Sequence, residues 1–215
     1  MSIQVGAAAE KLPVYCYKHL VTPYQTSLEK DFLIYQSFKE DVADIERNPY
    51  TTGRLPTSKK HLGSANYFVH IRDRQHKPEI PIDWPMIIKV CPKKLWQKEW
   101  SEKRADYKSL KKFCAKNGFH FAMYDESRIR HQAWANVKYI MGHVKPYGHP
   151  EDIEAILTQV EMMGVTTIEY ILCRFFGGGL LSSQGEKTIL HLMATKRLGF
   201  DVWGDLNEKT EIWHV

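Results

Sequence analysis

Cysteine is scarce in this chain. Its 215 residues hold four, Cys16, Cys91, Cys114 and Cys173, far apart and with no CxxC pair. That spacing indicates neither a zinc site nor a disulfide framework, and reduced thiols in a cytoplasmic compartment are the expectation. No stretch reaches the ~18 apolar residues of a membrane span. The opening MSIQVGAAAE lacks the basic segment and long apolar run of a signal peptide. The glycine run 177–179 is not followed by the lysine-serine signature of a phosphate loop, so it reads as a turn. Charge is not lopsided either. A net charge of +5 and a pI near 8.9 favour polyanions without identifying one. What remains is 43% apolar and 26% charged, the make-up of a folded chain with one large domain or two small ones.

The most informative stretch is 64–92, SANYFVHIRDRQHKPEIPIDWPMIIKVCP. Residues 65–72 and 86–91 are β-branched or aromatic at most positions and read as short buried strands. Asn66 starts the first; Lys89 and Cys91 share a face of the second, with Lys93 continuing that face if the strand runs on. A lysine in a buried strand is costly unless something requires it, which marks a candidate site.

Elsewhere, residues 1–13 read as a flexible arm and 15–21 as a short strand. Ser27 is a plausible N-cap for LEKDFLIYQSF, with Leu28, Phe32, Tyr35 and Phe38 on one face. Glu29 in the first turn is favoured by the helix dipole alone. A strand at 42–46 stops at Asn48-Pro49. A polar loop carries Arg54, Lys59 and Lys60. After the central strands, 93–117 has a helical stripe of Leu95, Trp100, Tyr107, Leu110 and Phe113, then Gly118, and 119–124 is another strand. This order predicts an α/β domain over 14–143 with a mixed sheet. A linker is expected at 144–149, and residues 150–215 read as three helices and a hairpin, an α+β winged-helix pattern. Such domains bind DNA or proteins about equally often, so the fold alone assigns no function.

The order of TSLEKDFLIYQSFKEDVADIE, ANYFV, IKVCPK, FHFAMYDESRI and the tail HLMATKRLGFDVWGDLNEKTEIW resembles the TnsA endonuclease of heteromeric, Tn-seven-like transposons. The resemblance covers most of residues 14–215. It implies a restriction-endonuclease-like PD-(D/E)XK core followed by a winged-helix domain, in a bacterial cytoplasmic protein. It further implies action at the transposon ends of double-stranded DNA, with a TnsB-type transposase and a TnsC-type AAA+ ATPase, and no membrane partner. In the family, a helix glutamate and a strand aspartate hold Mg²⁺ and a lysine steadies developing charge; hydrolysis needs hard oxygen ligands and an activated water. Carried across by position, the glutamate is Glu29, the aspartate position holds Asn66, the lysine position Cys91, and the position two before it Lys89.

Two of three catalytic positions are therefore substituted, which implies weak or absent cleavage by a naturally degenerate site. The catalytic candidates are Glu29, Asn66, Lys89 and Cys91, with Glu29 as a weak metal ligand and Mg²⁺ the cofactor if the site is active. Lys89 is either a surrogate cation or the partner of Glu29 or Asp83, and Cys91 reads as a small buried hydrophobe. Basic residues flanking the stretch, Lys59, Lys60, Arg72, Arg74, Lys93, Lys94, Lys103 and Arg104, are candidate DNA contacts. The rival functions are a non-cutting DNA-binding scaffold and a winged-helix transcription regulator with an α/β sensor domain.

Overall fold

A computed structural model describes residues 14–17, 20–47, 65–72, 85–177 and 182–215. The chain divides into two compact units, Met1–Ile129 and Arg130–Val215.

In the first unit, β1 (Val14–Tyr17) and β2 (Leu20–Pro23) form an antiparallel hairpin where one strand was expected. Helix α1 (Ser27–Phe38) follows. Its N-cap is Thr26, not Ser27: the Thr26 hydroxyl accepts the Glu29 N–H at 3.1 Å. Strands β3 (Val42–Arg47), β4 (Tyr67–Ile71), β5 (Met86–Val90) and β6 (His120–Tyr124) build one sheet in chain order. The first three pair antiparallel; β5 and β6 pair parallel, joined by the long crossover helix α2 (Lys93–Lys116). This is the mixed α/β sheet that the pattern predicts.

Strand alternation distributes the core. Phe68 and Ile87 pack with Leu110 and Cys114 of α2. Tyr67 points the other way, where Phe32 of α1 stacks on it at 5.6 Å and meets Tyr124 edge-on at 5.2 Å. Only part of the expected α2 stripe is core. Tyr107 and Leu110 are buried, whereas Leu95 and Trp100 are exposed, because the sheet supports only the C-terminal half of so long a helix. Lys93 does not extend β5: the strand stops at Val90 and Pro92 caps α2, with Lys93 as its first residue. A short α3 (Glu126–Ile129) closes the unit, and the Glu126 carboxylate accepts the Lys93 N–H of α2 at 2.9 Å.

The second unit starts at Arg130, upstream of the linker read at 144–149. Helix α4 (Gln132–Met141) belongs to it because Asn136 donates from Nδ2 to the carbonyls of Val202 and Gly204, at 2.9 and 2.7 Å. Then come α5 (Pro150–Met163), β7 (Val165–Thr167), α6 (Ile168–Phe176), α7 (Ser182–Ala194), β8 (Leu198–Phe200) and β9 (Glu211–His214). The three strands form an antiparallel sheet in the order β7-β9-β8. Strand β7 is not evident in the sequence; three residues are too few to show an alternation. Gly164 and Gly177, at φ of 73° and 59°, follow α5 and α6 in a backbone conformation that few side chains tolerate. Ile156, Val160, Ile171, Ile189, Leu192 and Ile212 fill this core.

Candidate functional site

The first turn of α1, the end of β3 and the start of β4 converge on Glu29. Its side chain is buried, and among the described residues four groups are placed to donate to it. Glu29 Oε2 accepts the Gln25 N–H at 2.6 Å and Nη1 of Arg47 at 2.8 Å, and lies 3.2 Å from the Tyr67 hydroxyl. Glu29 Oε1 accepts Asn66 Nδ2 at 2.8 Å. Burial is the main cause that raises the Tyr67 pKa, and the Glu29 carboxylate beside it adds to the effect.

The ion pair of Glu29 with Arg47 is the main surprise. The two side chains are 4% and 7% exposed. Arg47 Nη1 also donates to the Pro23 carbonyl at 3.1 Å and to the Tyr67 hydroxyl at 3.2 Å. A guanidinium thus sits against the carboxylate that the family resemblance assigns to a metal. Nothing in the sequence links Arg47 to Glu29. The one local signal is alternation along β3, which turns Arg47 to the face opposite Glu46 and places it opposite Tyr67 in the ladder.

Asn66 bridges two elements. While Nδ2 donates to Glu29, Oδ1 accepts the Val90 N–H of β5 at 2.9 Å. Its own N–H donates to the Ile88 carbonyl at 2.8 Å. One side-chain amide therefore ties α1 to β5 at the edge where β4 begins. An aspartate could accept from Val90 but could not donate to Glu29.

Lys89 and Cys91 do come to one region, but not as partners of Glu29. Lys89 is half-buried, and among the described residues it makes no hydrogen bond or ion pair. Desolvation is the main cause that lowers its pKa; of the charges acting on it, Cys91, Lys103 and Glu99 all outrank Glu29. The expected pairing of Lys89 with Glu29 is therefore not made: Arg47 occupies that carboxylate. The alternative partner Asp83 lies outside the described residues. Cys91 is buried and its thiol pKa is pushed up, by burial above all. It borders a cavity of about 270 Å³ lined by Trp96, Trp100, Met123, Tyr124 and Arg128.

This donor set does not fit Mg²⁺, which needs carboxylate or carbonyl oxygens facing an open position. Both Glu29 oxygens are engaged by protein donors, Asn66 turns its amide N–H toward them, and Arg47 already supplies the positive charge.

Of the candidate DNA contacts, Lys59, Lys60 and Arg74 lie outside the described residues. Arg72 is exposed just after β4, and Lys93, Lys94 and Arg104 are exposed on α2. Lys103 is held by Glu99 at 2.5 Å and points to the less exposed side of the helix. The larger pattern, which sequence reasoning missed, is α2 as a whole. It carries nine basic residues and three acidic ones over 24 positions. At 100° per residue, Lys93, Lys94, Lys98, Arg104, Lys108, Lys111, Lys112 and Lys116 fall within about 140° of arc. All eight are exposed. Glu99, Glu102 and Asp106 occupy a separate arc, and Tyr107, Leu110 and Cys114 are the buried one. The signal is present in the sequence, but the apolar stripe on the same helix draws attention from it.

No protein-family model and no curated protein matches the chain.

Proposed function

We propose that this protein is a DNA-binding subunit of a transposition complex that grips duplex DNA and does not cut it. The basic face of α2 carries the DNA reading. A helix of 24 residues is about 36 Å long, close to one turn of duplex. A one-sided row of exposed lysines and arginines over that length suits a phosphate backbone, and it offers charge without base-reading geometry. The bland alternative, a solvated charged helix, explains exposure but not the segregation of acids from bases.

The order α1, β3, β4, β5, α2, β6 is compatible with a restriction-endonuclease-like core. In that reading two of the three catalytic positions, Glu29 and Asn66, have become a structural knot, with Glu29 locked by Arg47, Asn66 and Tyr67, while Cys91 stands apart from it. The order of helices and strands after α4 is likewise compatible with a winged helix. The span around its expected wing carries Asp201, Asp205, Glu208 and Glu211, and acidic residues repel phosphate. Docking of a TnsB-type transposase or TnsC-type ATPase is therefore the use we assign to the second unit, and DNA contact is assigned to α2.

The test is duplex binding measured against salt. Affinity is expected to fall steeply as salt rises. Replacing Arg104, Lys108, Lys111 and Lys112 together by alanine is expected to flatten the log–log slope by about 0.9 for each phosphate no longer neutralised. Affinity independent of salt, or unchanged by the fourfold substitution, would refute the assignment.

A further inference from the structure

Away from Glu29, the β3–β4 ladder brings together three side chains with metal-binding chemistry. Asp44 and Glu46 are two apart on β3 and so leave the same face of the strand. Register places His70 of β4 opposite Asp44, and Phe68 opposite Glu46. A ligand atom from each of the three lies within 4.8 Å of the other two. Arg47 faces the other side of the sheet, so this trio is separate from the Glu29 ion pair.

One pair of the three already has the spacing found in a coordination shell. His70 Nε2 stands 3.1 Å from Glu46 Oε1. Donors bonded at about 2.1 Å to one ion in a tetrahedral or octahedral shell stand about 3.0–3.4 Å apart. His70 and Glu46, joined here by a hydrogen bond, are therefore also at the spacing of neighbouring ligands, and Asp44 offers a third oxygen within 4.8 Å of both. The surroundings hold the donors in place. The His70 ring meets Phe68 edge-on at 4.5 Å and 89°, and Asp44 Oδ1 accepts the Ile45 N–H at 2.8 Å, as outer-shell contacts orient metal ligands. The register also shifts between Val42 and Asp44, an irregularity of the sort that re-aims side chains next to sites. All three groups are half-buried.

We propose that Asp44, Glu46 and His70 form a divalent transition-metal site. An imidazole with two carboxylates selects Zn²⁺ and its neighbours Mn²⁺ and Co²⁺ over Mg²⁺, which prefers oxygen alone. The ion would pin β3 to β4 across their ladder.

Protein stripped with a chelator is titrated with Co²⁺ and followed by visible absorption, then back-titrated with Zn²⁺, with Mg²⁺ as the contrast. A Cys16→Ser/Cys173→Ser background removes the two exposed thiols as competing ligands. The expected result is one bound Co²⁺ with ligand-field bands, displaced by Zn²⁺ and not by equimolar Mg²⁺. Asp44→Asn and His70→Gln are each expected to weaken binding by about tenfold or more, with Glu46→Gln as a third variant should either fail to fold. No Co²⁺ bands at millimolar metal, or bands that survive all folded variants, would show that the trio is a hydrogen-bonded cross-strand cluster only.

Discussion

Replacing Arg47 by methionine isolates the interaction on which the Glu29 site depends. Both partners are nearly inaccessible, at 4% and 7% exposure, so solvent cannot take over the charge that is removed. Removing one member of a buried pair costs about 3–5 kcal/mol, because the other charge is left uncompensated. The bonds from Arg47 to the Pro23 carbonyl and the Tyr67 hydroxyl lie within that range. For a unit of 129 residues, each kcal/mol moves the melting point by about 3–5 °C, so Arg47→Met should lower it by about 10–25 °C. Calorimetry that fits the two units separately is the assay. The double variant Glu29→Met/Arg47→Met should cost much less than the sum of the single variants, because neither charge is then stranded. A loss below about 1 kcal/mol, or additive singles, would refute the claim that the pair is a buried lock.

Asn66→Asp sets a second carboxylate against Glu29 Oε1 and removes the amide donor; a loss of about 1–3 kcal/mol is expected, partly restored by Mg²⁺ and read as a melting-point shift. Lys89→Met is expected to raise stability at neutral pH, because the half-buried ammonium carries a desolvation cost. With its folded pKa below the ordinary 10.5, the wild type should gain stability as pH rises through the interval between the two values, and the variant should show no such gain from this residue. Burial raises the thiol pKa values of Cys91 and, to about 11, of Cys114, so stability should fall as pH climbs above 9.0. Thiol titration of the native protein should find Cys16 and Cys173 reactive at once, and Cys91 and Cys114 only on unfolding.

The elements that repeat a period over many residues were legible in the sequence. Helix α1, helix α2 and the strands at 67–71 and 86–90 stand where alternation and helical spacing put them. Short elements without a full period were not: β1 and β2 are four residues each and pair with one another, and β7 emerges only from pairing with the distant β9. At the site, Glu29 and Asn66 were grouped only by the family resemblance, and the structure brings their side chains together as a hydrogen-bonded pair. The identity of the counter-ion was not legible, since Lys89 and Arg47 look alike as basic residues on strands. Three-dimensional placement separates them: Arg47 lies opposite Tyr67, beneath the first turn of α1, whereas Lys89 faces Cys91 and α2.

Strand nicking of labelled duplex by the intact chain, with Mg²⁺ or Mn²⁺ and with a transposase and ATPase of the proposed types present, tests the central claim most directly. With Arg47 seated on Glu29, neither the wild type nor Glu29→Ala is expected to cut. Robust nicking by the wild type that disappears in Glu29→Ala would contradict the account, since it would require Glu29 to leave Arg47 and hold a metal.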